Sequence, residues 1–306
     1  MRAIRVALLA SALASCASVE ASRQPVDVEM RNVALHLSGD VTLHVRHLRG
    51  HFVATGRSGI PYLDDTSSYQ VIVDAGQVAV DVASLNALLT RTLGNGQSNV
   101  RKLTVSVDDK GQLKQTGTID KAIDLPFSAR GEVEATPDGR IRVRARAVKG
   151  YGVPVSPLLK LFSVEMDDLL KVPADRGITV DGNDLLLDPS RLLPAPSMRG
   201  RITNVRLEGQ TLVQTFGTGD PGPLSPPAIS RNFIYWRGGQ LSFGKLTMTD
   251  TDLELVDNDP RDPFDFSVDH WNDQLVAGYS KTTSRRGLKA IVPDYNDLSK
   301  QRPRKP

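Results

Sequence analysis

Five histidines, a run of carboxylates and a stripe of guanidinium groups are the side chains of this 306-residue chain with the chemistry to do work. Histidine exchanges protons near neutral pH, so His36, His44, His47, His51 and His270 invite a catalytic reading. His36 and His44 sit among alternating apolar residues and are expected to face water, and Asp269-His270-Trp271 has no serine or cysteine in a nucleophilic setting. There is no Gly-x-Ser-x-Gly, no phosphate loop and no His-Glu-x-x-His. Carboxylates at Asp250, Asp252, Glu254, Asp257, Asp259, Asp262 and Asp265 could share a calcium ion, but they lack the spacing and the glycine of an EF-hand loop. The default is a solvated strand followed by turns from Asn258 to Pro263. Arg140, Arg142, Arg144 and Arg146, with Lys149, fall on one face of a strand and could meet anionic head groups, since a planar guanidinium suits phosphate. The bland alternative is a solvated face balanced by Glu132 and Glu134. Trp236 and Trp271 read as packing. The expectation is therefore a protein without catalytic residues, metal or cofactor.

Cys16 is the only cysteine, so no disulfide can form within the chain. Ahead of it, Arg2 and Arg5 precede the short apolar run Val6 to Leu13, too short to span a bilayer, and small residues follow. Leu13-Ala14-Ser15-Cys16 resembles the bacterial lipobox, in which a peptidase cleaves before a diacylated cysteine. The alternative is an ordinary secretory signal cut near Ala17 or Ala21, leaving a soluble periplasmic protein. Ala17, where some lipoproteins carry aspartate, resembles the pattern of lipoproteins sent to the outer membrane. Two or three acyl chains make a stable membrane anchor. Loss of residues 1–15 removes two arginines and leaves 36 basic against 35 acidic residues. That balance, with no zinc, basic-zipper or aromatic RNA-binding signature, disfavours nucleic acid as a partner.

The elements that must position these groups are mostly strands. Period-two alternation runs from about residue 28 to 256: Val33, Leu35, Leu37; Val41, Leu43, Val45; Val71, Val73, then Val78, Val80; Leu103, Val105, Val107. Ser38-Gly39-Asp40, Asp108 to Gly111 and Pro137-Asp138-Gly139 reverse the chain tightly. Further strands are expected at Leu113 to Ile119, Phe127 to Val133, Ile141 to Ala147, Gly177 to Val180, Asp184 to Leu187, Arg199 to Leu207, Gln210 to Phe216, Phe233 to Trp236, Gln240 to Phe243 and Thr247 to Leu255. Two segments read as helix. One is capped by Asp81, carries Val82, Leu85, Leu88, Leu89 and Leu93 on one stripe and stops at Gly94. The other starts at Ser156-Pro157 and includes Leu158, Leu159 and Phe162, resuming over Glu165 to Leu170. Two short helices shield little of a dozen strands, so the sheet must curl, pair with another, or leave an apolar groove. Small residues such as Ala129, Gly131, Ala145 and Ala147 would leave room there or simply let sheets pack closely.

The span Lys121 to Phe216 contains a strand pair, Gly152-Val153-Pro154-Val155 leading into the helix at Leu158, Gly177 to Val180, and the pair Ile202 to Leu207 and Leu212 to Val213. With the upstream helix it resembles a bacterial envelope family of the tubular lipid-binding superfamily, which includes actinobacterial proteins of lipoglycan synthesis. The likeness is strongest over about residues 81–216, is one of pattern, and leaves the extra region 232–298 without a role. It implies a mainly β fold with two or three short helices, in which a long curled antiparallel sheet wraps a helix as a half-barrel around an acyl-chain groove.

The domain reading is a signal peptide at 1–15, a tether at 16–27, one β-rich body at 28–298 and a basic tail at 299–306. The first functional reading is an envelope lipoprotein on the periplasmic face of the outer membrane. It binds a lipid or acyl chain, with Leu85, Leu88, Val143, Leu158, Leu159, Phe162 and Ile202 lining the groove and Arg140, Arg142, Arg144 and Arg146 near the head group. The second is a structural or interaction lipoprotein with a solid core, and the third is a hydrolase using the acidic C-terminal region. The anchor is testable by itself. Cys16→Ala should abolish incorporation of a clickable fatty acid, and persistent labelling would refute acylation at Cys16.

Overall fold

Valine or leucine at alternate positions builds three long strands: β1 (Val26–His36), β2 (Thr42–Ala54) and β3 (Tyr69–Asp81). This is a computed structural model that describes residues 24–93, 100–120, 124–150, 153–154, 176–181, 184–220, 222–224 and 231–301. The three strands pair antiparallel, with Val33 opposite Val45 and Leu43 opposite Val80. The β2–β3 ladder slips between Val45 and His47 and again between Arg49 and Gly50. Such bulges bend a strand and increase its twist. Glycine permits them: Gly76 has φ +153°, and a Cβ there would lie 2.5 Å from the His47 carbonyl oxygen and 2.8 Å from the Leu48 Cα. A side chain at Gly50 would likewise collide with the Ile72 carbonyl.

At the end of β3 the chain turns into α1 (Val82–Leu93), where the Asp81 carboxylate accepts the Ser84 backbone N–H at 2.7 Å, the expected N-cap. A second sheet follows: β4 (Val100–Val107), β5 (Leu113–Asp120), β6 (Asp124–Ala135), β7 (Ile141–Gly150), β8 (Val153–Pro154), β9 (Ile178–Asp181) and β10 (Asp184–Leu187). Its order is β4-β5-β6-β7-β10-β9, with β8 paired to β7, and every pairing is antiparallel. The expected turns are present, as Gly111 donates to the Asp108 carbonyl and Gly139 to that of Thr136, each at 2.9 Å. The expected helix from Ser156 to Leu170 lies outside the described residues.

The chain then returns to the first sheet. α2 (Pro189–Leu192) is one turn, with Asp188 accepting the Ser190 N–H at 3.0 Å. After it come β11 (Ser197–Gly200), β12 (Ile202–Glu208), β13 (Thr211–Phe216), β14 (Phe233–Gly238), the hairpin β15 (Leu241–Phe243) and β16 (Leu246–Met248), and β17 (Thr251–Asp257). The end is β18 (Phe264–Ser267), α3 (Trp271–Ala277), β19 (Tyr279–Thr282), β20 (Leu288–Val292) and α4 (Tyr295–Gln301). The first sheet has eleven strands, in the order β12-β13-β3-β2-β1-β14-β17-β20-β19, with β11 on β3 and β18 on β1. The fold is mainly β, with a curled, largely antiparallel half-barrel sheet. Three pairings are parallel: β11 with β3, β18 with β1 and β20 with β17. The main core includes Val28, Leu48, Ile202, Trp236 and Phe264, and Val133, Ala135 and Leu187 of the second sheet pack against it.

Several sequence boundaries change for physical reasons. Arg199 to Leu207 is two strands, because β11 runs parallel to β3 while β12 runs antiparallel to β13. Thr247 to Leu255 divides between β16 and β17. β17 is buried at every position, not on alternate ones, so its acids lie in the interior. Among the described residues no helix is long and apolar enough to cross a membrane.

The bulge predicts a graded response. Gly76→Ala should cost about 3 kcal/mol or more in urea unfolding, since backbone must move. Gly39→Ala, with φ +70° but nothing within 4 Å, should cost about 1 kcal/mol. Equal losses would sink the account of the curl.

Candidate functional site

The leucine stripe of α1 and the inward parity of the second sheet face each other. From α1 come Leu85, Leu88, Leu89 and Leu93; from β4, Leu103 and Val105; from β5, Leu113 and Gln115. Val133 of β6, Val143 of β7, Ile178 of β9, Leu185 and Leu187 of β10, Leu192 of α2 and Leu212 of β13 complete the wall. Fourteen of the fifteen lining residues are aliphatic, and the fifteenth is a neutral amide. The cleft is partly open and encloses a cavity of about 70 Å³. That is the volume of roughly two waters, well below the ~300 Å³ of an ordinary ligand pocket.

One side of this groove is fastened by a side chain acting as a strand. Asn86 of α1 donates from Nδ2 to the Val105 carbonyl at 3.0 Å and accepts the Val105 N–H through Oδ1 at 2.7 Å. α1 is therefore fixed to the edge strand β4. Toward β9, β10 and α2 its contacts across the groove are aliphatic.

Of the residues expected to line the groove, Leu85, Leu88 and Val143 do so. Ile202 does not line it and is 1% exposed in the main core, with its edge on a separate polar cleft. Leu158, Leu159 and Phe162, like Cys16, lie outside the described residues. Leu103, Leu113, Ile178, Leu185 and Leu192 are groove residues that sequence reasoning misses. The alternation through Leu103-Val105 and the hairpin register carry the signal for the first two, while α2 has too few residues to show a period.

The arginine stripe stands among carboxylates. Arg140 reaches Asp138 at 2.7 Å; Arg142 reaches Asp181 at 3.4 Å, Glu134 at 3.6 Å and Asp184 at 3.7 Å; Arg144 reaches Glu134 at 2.7 Å. Asp181 and Asp184 come from β9 and β10 rather than the β6 neighbours named from sequence. Arg146 belongs to β7, but its side chain lies outside the described set.

The acidic run is largely absorbed by pairing within the fold. Tyr235 donates to Asp252 at 2.9 Å, Lys289 meets Glu254 at 2.9 Å, and Asn232 donates to Asp257 at 2.8 Å. Asp265 contacts His36 Nε2, while His36 Nδ1 lies 3.0 Å from the Thr42 hydroxyl. Asn296 donates to the other Asp265 oxygen, and His270 stacks on Tyr295 with ring centroids 5.0 Å apart. His36 is thus partly buried against a carboxylate instead of facing water, and it ties β1 to β18. None of these side chains lines the apolar groove. Among the described residues no group of three or more histidine, cysteine or acidic side chains has metal-holding geometry.

Burial pushes the Asp294 carboxyl up from 3.8 to about 7, against the opposing Asp265 N–H, with Asp257, Asp262 and Asp265 adding repulsion. The folded chain keeps this proton between those pH values while the unfolded chain releases it. The contribution to stability is complete below pH 3.8 and is lost as pH rises to about 7. Asp294→Asn retains the oxygen that accepts the Asp265 N–H. It should raise the urea midpoint at pH 8 and leave it nearly unchanged at pH 4; parallel pH profiles for both proteins would count against this assignment.

Compared with protein-family models, curated proteins and solved structures, the chain matches none.

Proposed function

We propose that this chain is an exported envelope lipoprotein that holds a lipid or acyl chain between α1 and the second sheet, in the manner of the tubular lipid-binding half-barrels. One observation carries the reading: among the described residues, fourteen of the fifteen that line the groove are aliphatic and none is charged. A wall of that kind offers a sugar or a nucleotide a single amide and no charge, and it gains free energy when hydrocarbon replaces water. The likeness over residues 81–216 and the Cys16 leader support the same reading.

The small cavity sets the mechanism. A chain of 14 to 18 carbons needs several times 70 Å³, so the walls part when it enters. Asn86 keeps α1 on β4, which places the opening on the opposite side, between α1 and the β9–β10–α2 wall. Among the described residues, separating aliphatic side chains there breaks no hydrogen bond, and the ligand's methylenes restore the dispersion attraction that the parted walls give up. The same small cavity favours a second reading, a tethered interaction protein whose core stays closed.

Native mass spectrometry of the mature protein separates the two. The lipid reading expects co-purified or exchangeable lipid, and Leu185→Trp, which fills the groove, should weaken uptake of a fluorescent fatty acid by about tenfold or more. Absence of any bound or exchangeable lipid would leave the closed-core reading standing.

A further inference from the structure

α2 divides two clefts of opposite character. Leu192 points into the aliphatic groove, while Pro189 and Ser190 line a polar cleft of about 210 Å³ between the β6–β7 turn and β11. Asp138, Arg140, Asp188 and Arg199 supply its charged groups. Both carboxylates are already engaged. Asp138 takes Arg140 at 2.7 Å and the Thr136 hydroxyl, and these bonds hold its carboxyl down at about 2. Asp188 accepts the Ser190 N–H at 3.0 Å and its hydroxyl at 2.6 Å, with Arg191 at 3.4 Å. Arg199 is exposed and has no carboxylate within ion-pair distance among the described residues. Arg201 flanks the cleft and spends one N–H on the Pro137 carbonyl at 3.2 Å. Arg140 and Arg199 thus line the cleft beside two carboxylates, with Arg191 on Asp188 and Arg201 at the rim.

We propose that this cleft binds an oxyanion of the phosphate class, carried as the head group of the amphiphile whose chain occupies the groove. The proposal rests on the lipid reading above. α2 has four residues, a rise of roughly 6 Å, so one molecule spans it with its tail on the Leu192 side and its head on the Ser190 side. Arg199 supplies the unspent fork for two phosphate oxygens, and Arg140, already oriented by Asp138, lines the same cleft.

The test uses the mature protein and three soluble probes: dihexanoyl phosphatidylglycerol, uncharged dihexanoylglycerol and inorganic phosphate. The anionic lipid should bind about tenfold more tightly than the neutral one at low salt, and Arg199→Glu should erase that difference while leaving neutral-lipid affinity within about twofold. Arg199→Lys, which keeps the charge but not the fork, should fall between, and since Arg199 is exposed the variants should melt like wild type. Equal binding of the two lipids, or an anionic preference that survives Arg199→Glu, overturns the head-group site and leaves the groove intact. Binding of neither lipid overturns the groove reading itself. If phosphate alone then still binds in an Arg199-dependent way, the cleft is a free-oxyanion site and the head-group proposal fails.

Discussion

Strand β7 carries Ile141 and Val143 on one side and Arg142 and Arg144 on the other, and the buried aliphatic side takes its cover from other elements of the chain. That need for cover is the constraint from which the candidate site follows. Among the described residues, the inward face of the six-strand path that holds β7 is covered by α1, with leucine at four positions of one stripe, and by the first sheet, against whose core Val133, Ala135 and Leu187 pack. The outward side faces no such difficulty, because Glu134, Asp181 and Asp184 stand within reach of the arginines. The two faces of β7 therefore differ in kind: one is satisfied by pairs already in the chain, the other by hydrocarbon packed to a narrow remainder.

The long strands of the large sheet bend where the β2–β3 ladder slips. Glycine allows the close approach at Gly50 and Gly76, and β13, paired to β3 at one flank of the large sheet, contributes Leu212 to the groove. The seam is closed by backbone as well as by side chains, since Ile202 donates to the Gly139 carbonyl at 3.3 Å across the two sheets. Ile202 consequently ends in the shared core and at the edge of the polar cleft, one layer away from the hydrocarbon site that its pattern suggested.

Much of this was legible in the residues. The period-two runs located β1 to β7 and their tight turns, and the Asp81 cap with its leucine stripe located α1. Three of the candidate groove residues meet because parity is a local property: Val143 points inward for the same reason that Arg142 points outward. What escaped was set by partners distant in sequence. β17 reads as an amphipathic strand, but β14 and β20 flank it, Tyr235 and Asn232 hydrogen-bond to Asp252 and Asp257 and Lys289 ion-pairs with Glu254, so its carboxylates are interior. His36 reads as a solvent residue, and only the parallel strand β18, 229 positions later, brings Asp265 against it. β18 to β20 are four or five residues each, too short for periodicity to show.

The direction of β1 has a geometric consequence. Gln24 and Pro25 enter beside Gly239, whereas α1 begins at the far end of the same strands, where its Ser84 hydroxyl accepts the Thr42 N–H at 2.9 Å. Eleven residues of β1 separate those ends by roughly 35 Å. Gln24 follows Cys16 by only eight residues, a reach of at most ~28 Å. Under the anchor proposed at Cys16, the start of β1 would lie within that reach of the membrane surface, and the start of α1 would stand at the opposite end of the strand.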